Sequence, residues 1–291
     1  MAELVQFLLS GIAAGGIYAL VAVGFVTVYN VLGIINFAQG EFAMLGALVA
    51  SSLVTRGVPL PLAVPLAVAV AALVGAAVER GVLRPAARSS ELVRIIITIG
   101  VSIFLRGIAL TIWSSQSYML PPFTRGEPLT VLGGALARQD LWVLAVAAAA
   151  MLALYVLFER TFFGAGLRAS VMSRDASRLM GISPATMSLV AYTLSAALGA
   201  LAGIVITPIA LATYDMGIML GLKGFVAAVL GGLVSAPGAV VGALLLGIIE
   251  SFSAGLLSSG YRDAIAFALL LGVLVVRPTG LFPTAGAERR V

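Results

Sequence analysis

The chain has 291 residues, 61% hydrophobic and 10% charged, with mean hydropathy +1.15 and a formal net charge of +5. Soluble domains average about 45–50% apolar and about 25% charged, so a water-soluble fold is excluded and a polytopic membrane protein is indicated. Cys and His are both missing, which removes disulfides, thiol chemistry, the usual zinc ligands and the near-neutral proton switch. The surplus basic residues fall mainly in loops, where they set orientation rather than bind nucleic acid.

Met1 to Ser10 carries Glu3 and Gln6 but no Lys or Arg, so the basic start of a cleavable signal is missing and the first helix is expected to be retained. The first apolar run covers Leu4 to Tyr29 and holds Ser10, Gly11, Ala14, Gly15 and Ala19, small residues that let helices approach closely. Asn30 and Gly33 allow a turn, and a second run extends to Val54. A third ends near Val78, before Arg80, Arg84, Arg88 and Arg94, and a fourth spans Leu92 to Trp113.

Ser114 to Asp140 is a polar loop with balanced charges, Arg125 and Arg138 against Glu127 and Asp140. Leu141 to Phe158 crosses back. Glu159 to Pro184 then carries Arg160, Arg168, Arg174 and Arg178 against Glu159 and Asp175, a basic excess that predicts a cytoplasmic loop. Further apolar runs follow at Met187 to Leu211, Ile218 to Val234, Ala239 to Phe252 and Ala264 to Val276. The expectation is an all-α polytopic bundle of about eight to nine spans, with residues 1–291 as a single transmembrane domain. Gln39 to Gly46 has a faint echo in Lys223 to Gly231, read either as an internal pseudo-repeat with matching broken helices or as chance.

Asn36, Phe37, Ala38, Gln39, Gly40 and Glu41 place three polar side chains inside a long apolar passage. A charge at the centre of a membrane helix costs about 2.5–3.5 kcal/mol on the translocon scale, so Glu41 must pair, be protonated or face a watery interior. One reading breaks the helix at Gly40 and gathers Asn36, Gln39 and Glu41 on a translocation path. The other makes Asn36 and Gln39 interhelical glue, with Glu41 at an interfacial turn. Lys223, on the small-residue passage Gly217 to Gly232, either snorkels, pairs with Glu41 or meets a substrate carboxylate. Arg106, Asp215, Glu79 and Glu250 lie near span ends and read as interfacial anchors.

From Gly164 to Gly181 the loop reads as two short amphipathic helices lying outside the membrane. Leu167, Val171 and Leu179 with Met172 and Met180 form an apolar side at helical spacing. Gly181 suits a helix end and Pro184 prevents continuation. The bland reading is a surface helix whose arginines meet lipid headgroups.

This loop resembles the cytoplasmic coupling segment of bacterial ABC importer permeases, at Asp175, Ala176, Leu179, Met180 and Gly181. Together with Ile17-Tyr18-Ala19-Leu20, the Asn36 to Glu41 stretch, Leu230-Gly231-Gly232 and Pro237-Gly238, the chain is similar to the branched-chain amino-acid permease family, H-type subunit, over nearly its whole length. One departure stands out: the family more often carries His between Ala38 and Gly40, where this chain has Gln39.

The resemblance implies a multi-pass permease of the bacterial inner (plasma) membrane for branched-chain or other hydrophobic amino acids. It implies a second permease subunit (a related chain or a second copy), two ATP-binding subunits and an extracytoplasmic substrate-binding protein, with lipid around the bundle. Asn36, Gln39, Glu41 and Lys223 would line the path. Arg168, Arg174, Asp175, Ala176, Leu179, Met180 and Gly181, in a coupling loop at about 159–186, would engage the ATPase. No Walker-type run ending in Gly-Lys-Ser or Gly-Lys-Thr occurs, so the chain is expected to be non-catalytic, with no metal or cofactor of its own and ATP bound by partners. The alternatives are the permease of a related sugar importer and a stand-alone secondary transporter.

Overall fold

The computed structural model describes residues 2–172, 174–277 and 279–282, with the backbone alone at 171, 172, 174–176 and 259. Its order is α1 (Ala2–Leu32), α2 (Gln39–Thr55), α3 (Leu60–Val78), α4 (Glu91–Trp113), β1 (Leu129–Val131), β2 (Gly134–Leu136), α5 (Arg138–Arg160), α6 (Phe162–Met172), α7 (Arg174–Leu179), α8 (Pro184–Ile206), α9 (Met216–Gly231), α10 (Ala236–Leu256) and α11 (Arg262–Val276). Among the described residues six helices are long and apolar enough to cross a membrane: α1, α3 with its extension to Leu83, α4, α5, α8 and α10. The shorter α2, α9 and α11 complete the eight to nine apolar passages read in the sequence.

Which helices lie inside follows from their surfaces. The apolar stretch of α1 is 89% buried against 17% for α5, and α1 is apolar on every side, as an interior helix must be. In a bilayer such helices associate through close packing rather than by leaving water. Gly11 and Gly15 let α10 approach so closely that a Cβ on either would stand 2.6 Å from Ile248 Cα or 2.7 Å from Leu244 Cα. Across α2 and α8, a Cβ on Gly203 would stand 1.9 Å from the Ala43 carbonyl oxygen. α3, α4 and α5 present Leu66, Leu73, Ile103, Phe104 and Leu152 outward.

At one end of the bundle β1 and β2 form a hairpin within the polar stretch from Ser114 to Asp140. Its two-residue turn, Leu132-Gly133, has both φ values positive, +50° and +85°, the turn that matches strand twist. The hairpin rests on the start of α1, where Gln6 Oε1 accepts from the Ala135 amide at 2.6 Å.

At the opposite end α3 runs into a π-turn at Glu79–Leu83. Glu79 is buried there, 3.0 Å from Arg84 Nη2, and accepts from Ser188 Oγ at 2.9 Å. Glu79 is therefore a tie between α3 and α8 rather than the interfacial anchor expected. The two short helices foreseen in the basic loop are present as α6 and α7. Gly181 takes φ +79° beyond the last turn of α7, and Pro184 opens α8 behind the cap Ser183. Among the described residues the loop's apolar side chains do not form one continuous side, and those of Val171 and Met172 lie outside the described residues. Leu167 is buried in the bundle, whereas Leu179 and Met180 are 89% and 81% exposed.

Candidate functional site

The break between α1 and α2 runs through residues 33–38, upstream of Gly40, which lies within α2. Gly33 turns the chain at φ +67°, and the freed backbone groups all need partners in an apolar medium. Arg94 Nη1 donates to the Leu32 carbonyl at 3.1 Å, and Thr98 Oγ1 accepts from the Phe37 amide at 3.1 Å. Asn36 Oδ1 accepts from the Ala38 amide at 3.1 Å and from Tyr192 OH at 2.8 Å, an Asx-type turn that holds the corner.

Gln39, the first residue of α2, is fully buried. Its Nε2 donates to the Ser195 carbonyl at 2.9 Å, while Ser195 Oγ lies 2.5 Å from Gln39 Oε1 and 2.8 Å from the Gly24 carbonyl. A Cβ on Gly24 would strike the Gln39 amide group at 2.1 Å. Asn36 and Gln39 thus stitch the break to α8 and α1.

Glu41 points elsewhere. Its Oε1 accepts from Ser102 Oγ at 2.8 Å and lies 3.1 Å from Arg106 Nε; Ser102 and Arg106 sit one turn apart on α4, the spacing that places two side chains on one helix face. The Glu41 side chain is 2% exposed and that of Arg106 26%. Glu41 Oε2 is buried without a hydrogen-bond partner among the described residues. These groups line a cavity of about 260 Å³ between α1, α2, α4 and α9, whose other walls include Phe25, Phe37, Phe225, Ile99 and Leu222. Phe225 ties the aromatic wall, 5.8 Å from Phe25 and 5.7 Å from Phe37 between ring centroids.

Lys223 does not join Glu41. Its Nζ lies 2.7 Å from Glu250 Oε1 and 2.8 Å from Asp263 Oδ1, and Tyr18 OH donates to Glu250 Oε2 at 2.6 Å. Lys223 is 8% exposed, and its ammonium is neutralised between the buried Glu250 and Asp263, whose side chain is 46% exposed at the start of α11, so the cluster joins α1, α9, α10 and α11. Gln39 opens α2 while Lys223 lies midway along α9, so the echoed stretches stand at different places in their helices.

Two of the residues read as anchors are therefore partners of the two buried charges, Arg106 for Glu41 and Glu250 for Lys223. The signal was available: both are lone charges inside apolar runs, where an ionisable residue needs an inward partner. Among the described residues no group of three or more Asp or Glu could hold a metal ion.

Of the coupling-loop residues, Arg168 is half exposed, 3.4 Å from Glu159 Oε2, and its guanidinium also donates to the Phe158 carbonyl. Leu179, Met180 and Gly181 stand outward. The side chains of Arg174, Asp175 and Ala176 lie outside the described residues; their backbone forms the first turn of α7. Beside α7, a groove of about 670 Å³ runs between α6 and the start of α8, lined by Phe162, Ala165, Ala169, Ile182 and Met187.

The family model described as branched-chain amino acid transport system / permease component matches residues 7–274. The high-affinity branched-chain amino acid transport system permease protein BraD of Pseudomonas aeruginosa is 32% identical, over 98% of this chain and 97% of its own length. LivH of Escherichia coli (strain K12), of the same description, is 33% identical with the same coverage. The autoinducer 2 import system permease protein LsrC of Escherichia coli O9:H4 is 31% identical over 62% of this chain and 54% of its own. With a helical bundle built for a membrane, a polar cavity within it and matches along nearly all its length, the chain belongs to the branched-chain amino acid transport system permease family.

Proposed function

We propose that this chain is the permease subunit of an ATP-driven importer for branched-chain or other hydrophobic amino acids, forming the translocation path while separate subunits hydrolyse ATP. As a multi-pass protein of the inner (plasma) membrane, it would pair with a second permease, a related chain or a second copy. Two ATP-binding subunits would sit on one face and an extracytoplasmic binding protein on the other. Residues 1–291 act as one permease domain, non-catalytic and without a cofactor of its own.

The observation that carries the coupling part of this reading is the exposed apolar pair Leu179 and Met180, on a basic loop beside an apolar groove. Contiguous apolar groups turned outward mark protein or membrane contacts, and on a basic loop beyond the spans we read this pair as a protein contact. With Arg168 and the α7 residues Arg174, Asp175 and Ala176, they form the surface that the ATPase grips. The loop and the break between α1 and α2 border one cavity of about 120 Å³, lined by Ser170, Arg178, Arg84, Arg94 and Leu32 among others, and Arg94 bonds the Leu32 carbonyl there. ATP-driven closure of the ATPase pair would then move the break with Asn36, and with it the first turn of α2 that holds Gln39 and Glu41. ATP drives the switch because it binds the two states unequally.

Glu41 lines the path. Asn36 and Gln39 shape it by holding the break, and Lys223 fixes α9, the wall of the cavity. The amino-acid assignment is favoured over a sugar by coverage, since the amino-acid permeases match end to end and LsrC over less than two thirds of this chain. The test is affinity purification from mild detergent, then reconstitution. Co-purification of an ATPase and ATP-dependent leucine uptake support the reading. Transport by this chain alone in vesicles without ATP would replace it with a secondary transporter.

A further inference from the structure

We infer that Glu41 and Arg106 form a clamp for the charged head of an α-amino acid, the ammonium exchanging Arg106 for itself at Glu41 and the carboxylate taking the released guanidinium. The inference rests on the importer reading and names what its cavity recognises. The ammonium and carboxylate of an α-amino acid hang on one carbon, by bonds of about 1.5 Å. Two protein groups already 3.1 Å apart need only a small separation to meet both. Each buried charge keeps an opposite charge throughout, which is what makes the exchange affordable in a low-dielectric medium.

Three further observations point the same way. Glu41 Oε2 is buried with no partner among the described residues, an acceptor of the kind that buried polar groups do not keep without reason. Arg106 reaches partly into the open, at 26% exposure, on a helix that turns Ile103 and Phe104 outward while Ile99 sits at the cavity wall. Arg106 lines the cavity, and a guanidinium in a membrane span is stable where it faces such an interior space rather than hydrocarbon. Finally, the wall opposite the charges is aromatic and aliphatic, formed by Phe25, Phe37, Phe225 and Leu222.

Size fits as well: a cavity of about 150 Å³ already accommodates a benzene-sized solute, and this one is about 260 Å³. The arrangement suits a net-neutral amino acid with an apolar side chain and offers a sugar no opposite charge to bind. Because the resting ion pair competes with the solute, occupancy is weak and release is rapid, as passage requires.

The test uses the reconstituted assembly, with leucine-loaded binding protein outside. Glu41→Gln and Arg106→Gln should each lower ATP-dependent leucine uptake at least about tenfold, in complexes that assemble in normal amount. The exchange Glu41→Arg with Arg106→Glu restores the ion pair but inverts the head group, and uptake should stay low. Uptake at the unmodified level in the exchanged pair, or in the single variants, would assign the pair a structural role only.

A second measurement does not depend on variants folding. Saturation-transfer NMR on the unmodified assembly, without binding protein, should give a signal from leucine. It should give none from 4-methylpentanoate, which lacks the ammonium, or 3-methylbutylamine, which lacks the carboxylate. Equal signals from all three would overturn the clamp. Absence of leucine uptake by the unmodified assembly would instead sink the importer reading, so the two failures are distinguishable.

Discussion

Gly40 and Gly217 stand so close that a Cβ on Gly40 would lie 1.9 Å from the Gly217 carbonyl oxygen, and a Cβ on Gly217 would lie 2.7 Å from Glu41 Oε2. The two glycines bring the first turns of α2 and α9 together at the cavity, so a methyl group at either is a wedge against backbone. Overpacking of this kind costs about 1–3 kcal/mol or more. Gly40→Ala should lower the melting temperature of the purified protein and open the α2–α9 contact. Gly100→Ala, on an outward face of α4 with nothing within 4 Å, should melt at or slightly above the unmodified temperature, because Ala favours helix over Gly.

The Lys223 cluster predicts a strong asymmetry between single and double changes. Lys223→Met leaves Glu250, 2% exposed, without its nearest cation, a loss of about 3–5 kcal/mol for a buried pair. Combining it with Glu250→Leu should recover much of that stability, since the uncompensated charge is then gone. Thermal unfolding of the four proteins in one detergent gives the coupling directly. Equal, additive losses would mean that Lys223 and Glu250 act independently.

Ser195 Oγ has one proton to place between Gln39 Oε1 and the Gly24 carbonyl, and the latter lies in the middle of α1 where the helix ladder serves it, so Ser195→Ala strands one acceptor, Gln39 Oε1, inside the bundle. The expected loss is about 1–3 kcal/mol, and thermal unfolding reads it. Gly24→Ala should be worse, because its methyl group would meet the Gln39 amide at 2.1 Å.

The basic loop around α6 and α7 should behave in the opposite manner. Leu179→Asp and Met180→Asp alter side chains that are 89% and 81% exposed, and exposed substitutions usually change stability by less than about 0.5 kcal/mol. Melting temperature should hold while ATPase capture falls. Gly181→Arg adds a bulky charge at a residue with φ +79° and should uncouple ATP hydrolysis from uptake in a protein still inserted in the membrane. Normal uptake by all three would remove the loop from the coupling mechanism.

The elements legible in the sequence are those in which one physical rule governs many residues. Apolar runs of span length can only be helices in a membrane, and the nine passages read from Leu4 to Val276 lie on α1 to α5 and α8 to α11. Gly181 and Pro184 marked the end of α7 and the start of α8 for the same reason, because each restricts the backbone by itself. The polar stretch at Asn36 to Glu41 was legible as an exception needing a partner.

What the sequence by itself determined is that such partners must exist, since burying an isolated charge in hydrocarbon is too costly. Only the tertiary structure decided who they are. Glu41 pairs with Arg106, 65 positions away by number and one layer away in space, and Lys223 pairs with Glu250 and Asp263. Gly33 to Ala38, rather than Gly40, makes the break, because Gly40 is needed bare for contact with α9. A one-dimensional pattern records which faces are apolar and where a chain can bend. Which two faces meet, and hence which charges neutralise each other, depends on the three-dimensional packing of small residues across helices.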